Sequence, residues 1–105
     1  MKMGREERIK DFRQKIDDLD RQILRFLNER AEIVLEVGKA KLEGKINSYD
    51  PNREEEILKR LAIQNSGPFP KRAIAPVFRE IISACRSLEN GLSVVYLGPP
   101  ASHTH

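Results

Sequence analysis

The chain has 105 residues, room for one small domain, and its 19 Lys and Arg face 16 Asp and Glu for a net charge of +3. One third of it is charged and 39% is hydrophobic, with no Trp and two Tyr, a profile of long solvated helices and not of a sheet protein. Acids interleaved with bases exclude the clustered cations of a nucleic-acid footprint, and neither a signal peptide nor a run of about 18 apolar residues is present.

From residue 6 to residue 42 there is no proline, and apolar residues recur at three-four spacing: Ile9, Phe12, Ile16, Leu19, Ile23 and Phe26, then Ile33, Val37 and Ala40. This is a heptad seam on one helix, interrupted by Arg30 where an apolar side chain is called for. About 36 helical residues would run roughly 54 Å, more than a compact domain of this size covers, so the helix needs a partner along its length.

Gly44, Asn47 and Ser48 make a polar break, after which Asp50-Pro51 offers an N-cap followed by proline at the first helical position. A second helix is predicted over residues 51–64 with a narrow stripe of Ile57, Leu58 and Leu61, closed by a Gly67 C-cap and Pro68 beyond it. A third is predicted over residues 70–90, its stripe Ile74, Val77, Phe78, Ile81, Ile82, Cys85 and Leu88, with Gly91 as the stop. Pro76 requires that this helix begin late or bend. The β-branched run that follows Gly91, ending at Gly98-Pro99-Pro100, reads as a lone strand and a turn with nothing to pair with.

Arg30 stands out among the polar residues because a buried isolated charge costs several kcal/mol. Spacing leaves two readings open, a structural ion pair with Glu54 or Asp50, or contact with an anion. Lys41, eleven residues on, projects from nearly the same face roughly 16 Å along the axis, where a solvated lysine and an anion contact are both possible. Arg13 lies seventeen residues before Arg30, roughly 25 Å away and about a quarter turn round the helix; periodicity favours an ordinary surface arginine, and it could approach that region only from the other chain of an antiparallel dimer. Asp50, Glu54, Glu55 and Glu56 suit the positive end of a helix macrodipole. The single Cys85 forms no intrachain disulfide and is expected as a core residue in a reducing, cytoplasmic setting. His103 and His105 lie in the tail, so neither metal nor nucleophilic chemistry is indicated in the helical region.

Three stretches resemble a known family. Arg13-Gln-Lys-Ile-Asp-Asp-Leu-Asp20, Leu27-Asn-Glu-Arg30 and Glu36-Val-Gly-Lys-Ala-Lys41 are similar to the first helix of the all-helical chorismate mutases. Asp50-Pro-Asn-Arg53-Glu54 resembles their second-helix entry, and Phe78-Arg-Glu-Ile-Ile-Ser-Ala-Cys85 with Glu89 resembles the third, so the likeness covers residues 6–90 in order. Val95-Tyr-Leu-Gly-Pro99 looks like the first strand of a prephenate dehydratase domain, which makes residues 91–105 the truncated start of a second domain.

The resemblance implies an all-α fold of three helices, one very long, in an intertwined antiparallel homodimer that isomerises chorismate to prephenate in phenylalanine biosynthesis without a cofactor or metal. It implies that Arg30 and the partner subunit's Arg13 hold the two substrate carboxylates as guanidinium forks do. Lys41 would meet the ether oxygen, Asp50 and Glu54 would accept from the ring hydroxyl, Arg53 would add positive field, and Cys85 and Glu89 would come from the third helix. The catalytic set is Lys41, Glu89 and Arg30.

Two positions depart from a common pattern of the family. Some relatives have serine in place of Cys85, and a thiol is the weaker donor. Some have glutamine in place of Glu89; an ionised glutamate cannot donate to the ether oxygen, so Glu89 is expected to act protonated, with turnover falling as pH rises. Rival readings are an isochorismate pyruvate lyase on the same fold, against which the dehydratase-like tail argues, and a non-catalytic dimerisation or regulatory module. A basic isoelectric point near 9.2 is the one feature that favours nucleic-acid binding.

Overall fold

The computed structural model describes the backbone of residues 4–45 and 50–97 and the side chains within them as far as Leu92. Three helices follow one another: α1, Arg5–Glu43; α2, Pro51–Gln64; and α3, Lys71–Leu97. The first two match the predicted elements to within one residue at each end. Among the described residues there is no strand.

Local chemistry accounts for α1. Glu6 and Glu7 occupy its first turn and Lys41 its last, each charge at the end of the macrodipole that favours it. Lys15 with Asp11 at 3.4 Å and Lys39 with Glu36 at 3.4 Å bridge successive turns, as Arg21 does with Asp18. Such exposed pairs contribute a few tenths of a kcal/mol each, about 0.2–0.5. Propensity therefore sets the helix up, and burial of its apolar stripe has to stabilise it.

The chain divides after Arg30 into two compact units. The first is the N-terminal part of α1 alone, in which every described residue up to Phe26 is exposed. Its stripe is laid bare, with Ile9, Phe12, Ile16, Leu19, Ile23, Leu24 and Phe26 each 44% to 59% exposed. Lys15 and Arg25 lie over the rings of Phe12 and Phe26, 5.6 and 5.0 Å from the centroids, covering part of the aromatic surface.

In the second unit, the C-terminal part of α1 with α2 and α3, the buried residues are Leu58 of α2, Ile74, Ile82 and Cys85 of α3, and Gly38 of α1. Asp50 starts α2 from an extended conformation (φ −136°, ψ 96°), and its Oδ1 accepts from the backbone N–H of Asn52 and Arg53 at 3.1 and 3.2 Å. Pro51 sits in the first turn, where its missing N–H costs nothing. After α1 the left-handed position is taken by Lys45 (φ 56°), while Asn47 and Ser48 of the predicted break lie outside the described residues.

Two expectations are corrected. The C-cap of α2 is Asn65 and not Gly67: the Asn65 N–H donates to the Leu61 carbonyl at 3.1 Å. Its side chain then donates to the Phe69 carbonyl at 2.8 Å and accepts from the Gly67 N–H at 3.3 Å, so an amide side chain makes the turn that a left-handed glycine was expected to make.

The second correction concerns residues 92–97, which continue α3 and form no strand. A lone strand leaves its N–H and C=O groups without ladder partners, whereas a continuing helix bonds them within itself. Gly91 is an ordinary exposed helical position with nothing within 4 Å of a Cβ placed on it. At the other end α3 begins at Lys71 and carries Pro76 in its second turn; the Arg72 carbonyl loses its usual donor there, and Arg72 is exposed, where water serves. The Gly98-Pro99-Pro100 turn, His103 and His105 lie outside the described residues.

Candidate functional site

Gly38 is the buried position of α1, one turn before Lys41. A Cβ placed on it would stand 2.9 Å from Leu92 Cδ1, 3.4 Å from Glu89 Cγ and 3.9 Å from Glu89 Cβ. The stem of Glu89 therefore lies against the α1 backbone one turn from Lys41, and both Glu89 and Lys41 are half-buried. Cys85 is one turn before Glu89 on the same face of α3 and is 7% exposed, as its core reading predicts.

The α2 entry is tied to α3 at the same level. Arg86, next to Cys85, donates through Nη2 to both carboxylate oxygens of Glu54, an ion pair between residues 32 apart in sequence. Glu54 thus meets Arg86, where a role beside Arg30 was one of the open readings. Asp50 caps α2 through Oδ1 and is exposed. Arg53 is exposed on the first turn of α2.

Within the second unit the structure thus brings together Glu89 and the Lys41 turn of α1, and separately Glu54 and the Cys85-Arg86 turn of α3. Arg13 and Arg30 belong to the first unit, Arg13 exposed and Arg30 half-buried. Seventeen helical residues separate them by roughly 25 Å, so one chain cannot close both on a single small ligand. Among the described residues no three His, Cys, Asp or Glu side chains are grouped as a metal site would need, and no helix is long and apolar enough to cross a membrane.

Sequence reasoning passed over two residues. Gly38 had a readable signal, since glycine inside a helix costs about 1 kcal/mol relative to alanine and its presence marks a close approach. Arg86 had none, because its partner is fixed by the packing of α2 on α3 and not by any spacing along one helix.

The described residues thus form a three-helix chain with a half-buried lysine and a half-buried glutamate beside one close helix contact and arginines spaced along its longest helix. The chain belongs to the chorismate mutase type II family, whose pattern residues 12–90 match. It is 43% identical over 103 residues to the bifunctional chorismate mutase/prephenate dehydratase of Aquifex aeolicus, covering 94% of this chain and 28% of that protein. The bifunctional enzyme of Neisseria gonorrhoeae is 41% identical, with 88% and 25% covered. The chain thus spans about a quarter of the length of these curated relatives. Among solved structures, the chorismate mutase of Thermus thermophilus (form II) superposes with a TM-score of 0.76 at 43% identity, over 79% of this chain and 94% of that one.

Proposed function

We propose that the chain isomerises chorismate to prephenate as a homodimer. The observation that carries the reading is the packing of Glu89 on α1 one turn before Lys41, in a chain of this family. The reaction is an intramolecular shift in which the ether C–O bond breaks as a new C–C bond forms. It consumes no proton and needs no nucleophile.

Two physical effects then accelerate it. Holding the enolpyruvyl arm over the ring removes the entropy of finding a reactive conformer, and donors at the ether oxygen stabilise the negative charge that grows there. Arg30 and the partner subunit's Arg13 hold the carboxylates, and Lys41 donates to the ether oxygen with Glu89 beside it. Asp50 and Glu54 accept from the ring hydroxyl, the latter with its carboxylate steadied by Arg86. Arg53 adds positive field, and Cys85 contributes a weak donor next to the core.

The bare stripe of α1 supports the dimer, since nothing within its own unit covers it. Membership of a biosynthetic family supports cytoplasmic placement. The names of the relatives support a prephenate dehydratase domain in the full-length protein.

The test is to add chorismate to the purified chain, follow loss of its ultraviolet absorbance, and convert the product with acid to phenylpyruvate. Prephenate formation, reduced at least about a hundredfold in Lys41→Ala, is expected for loss of one donor to developing charge. Release of pyruvate from isochorismate, or no turnover by a folded dimer, would overturn the reading in favour of a lyase or a non-catalytic module.

A further inference from the structure

We infer that Gly38 is a positioning residue for the reaction: by having no side chain it lets the stem of Glu89 lie on the α1 backbone, and so sets how far the Glu89 carboxyl reaches toward the Lys41 turn. The inference rests on the reading of Glu89 as a site residue.

Gly38 is the one glycine of α1, and it is buried. Alanine would favour the helix more, so helix stability alone does not call for glycine at this position. What the position gains is proximity. The two atoms nearest to an added methyl belong to α3 and differ in kind.

Leu92 Cδ1, at 2.9 Å, is the end of a rotatable side chain and can swing aside. Glu89 Cβ, at 3.9 Å, is fixed by the α3 backbone, and Glu89 Cγ, at 3.4 Å, moves only with χ1. A methyl on Gly38 meets Glu89 Cγ at the edge of ordinary van der Waals contact, so Cγ gives by a small turn about χ1, and the carboxyl at the far end of the stem is carried further than Cγ. A donor aimed at a developing charge loses its effect over such a displacement, because the stabilisation depends on a hydrogen bond of fixed length.

The test is a double-mutant cycle of Gly38→Ala and Glu89→Ala, with kcat and KM from single-turnover progress curves at high protein concentration and thermal unfolding measured alongside. The expected result is a loss of about tenfold in kcat for Gly38→Ala, smaller than the hundredfold that a full 1 Å misplacement costs, with KM and Tm held. In the Glu89→Ala background the same substitution is expected to change kcat less than twofold.

Equal losses in both backgrounds, or a Gly38→Ala chain as fast as the wild type, would overturn the inference. A Glu89→Ala chain with wild-type turnover would instead remove the reading of Glu89 itself. If Gly38→Ala does not fold, the same cycle is run in Leu92→Ala, which removes the 2.9 Å contact and leaves the Glu89 contact in place.

Discussion

Replacing Ile23 by alanine tests whether the bare stripe of α1 is a dimer interface. Ile23 is 56% exposed. Full burial of an isoleucine side chain is worth about 1.5–3 kcal/mol, so the surface still open at Ile23 would contribute about 0.8–1.7 kcal/mol when a second chain covers it. A two-fold interface uses the position twice, which gives about 1.7–3.4 kcal/mol and a rise in the dimer Kd of about 15- to 250-fold. Ile23→Asp should weaken association further, because an unpaired carboxylate would then be buried at the same place.

Sedimentation velocity from nanomolar to micromolar protein reads the association directly, and specific activity over the same range reads its consequence. If the partner subunit's Arg13 completes each site, as proposed, activity should fall with the dimer fraction, at a higher protein concentration in the mutant than in the wild type. Wild-type association in Ile23→Ala would show that the interface lies elsewhere. A wild-type chain that keeps full specific activity while sedimenting as a monomer would refute the shared site altogether.

Asp50→Ala should cost about 1 kcal/mol in urea unfolding through loss of the α2 cap, whereas Asp50→Asn should keep the cap. If Asp50 also accepts from the substrate hydroxyl, both variants raise KM; an Asp50→Asn chain with unchanged KM would confine the residue to capping. For Glu89→Gln the donor decides the outcome: the amide N–H supplies the donor that the reading asks of this side chain, so the variant should keep or raise kcat, whereas Glu89→Ala should lower it. Equal rates in the two variants would mean that Glu89 is not the donor.

Much of this protein was legible along the chain because the signals act within a turn or two. Asp50 and Pro51 placed the start of α2, since a side chain that caps its own backbone and a ring that presets φ need no distant partner. The proline-free heptad seam placed α1. Arg30 was singled out by interrupting that seam and Lys41 by projecting from nearly the same face, while Arg13, turned away from it, stood out through the family resemblance alone.

Other features waited on tertiary structure. The run after Gly91 has strand-like composition, and whether it is strand or helix depends on the presence of an edge to pair with; without one, α3 keeps its backbone bonds to itself through Leu97. Asn65 ended α2 in place of Gly67 because its amide found Phe69 beyond the turn. Arg86 found Glu54 across 32 residues, and Gly38 met Glu89 and Leu92 from another helix. Periodicity states which face of a helix is apolar, but the depth to which another helix settles on that face depends on the side chains of both, and only their packing together decides it.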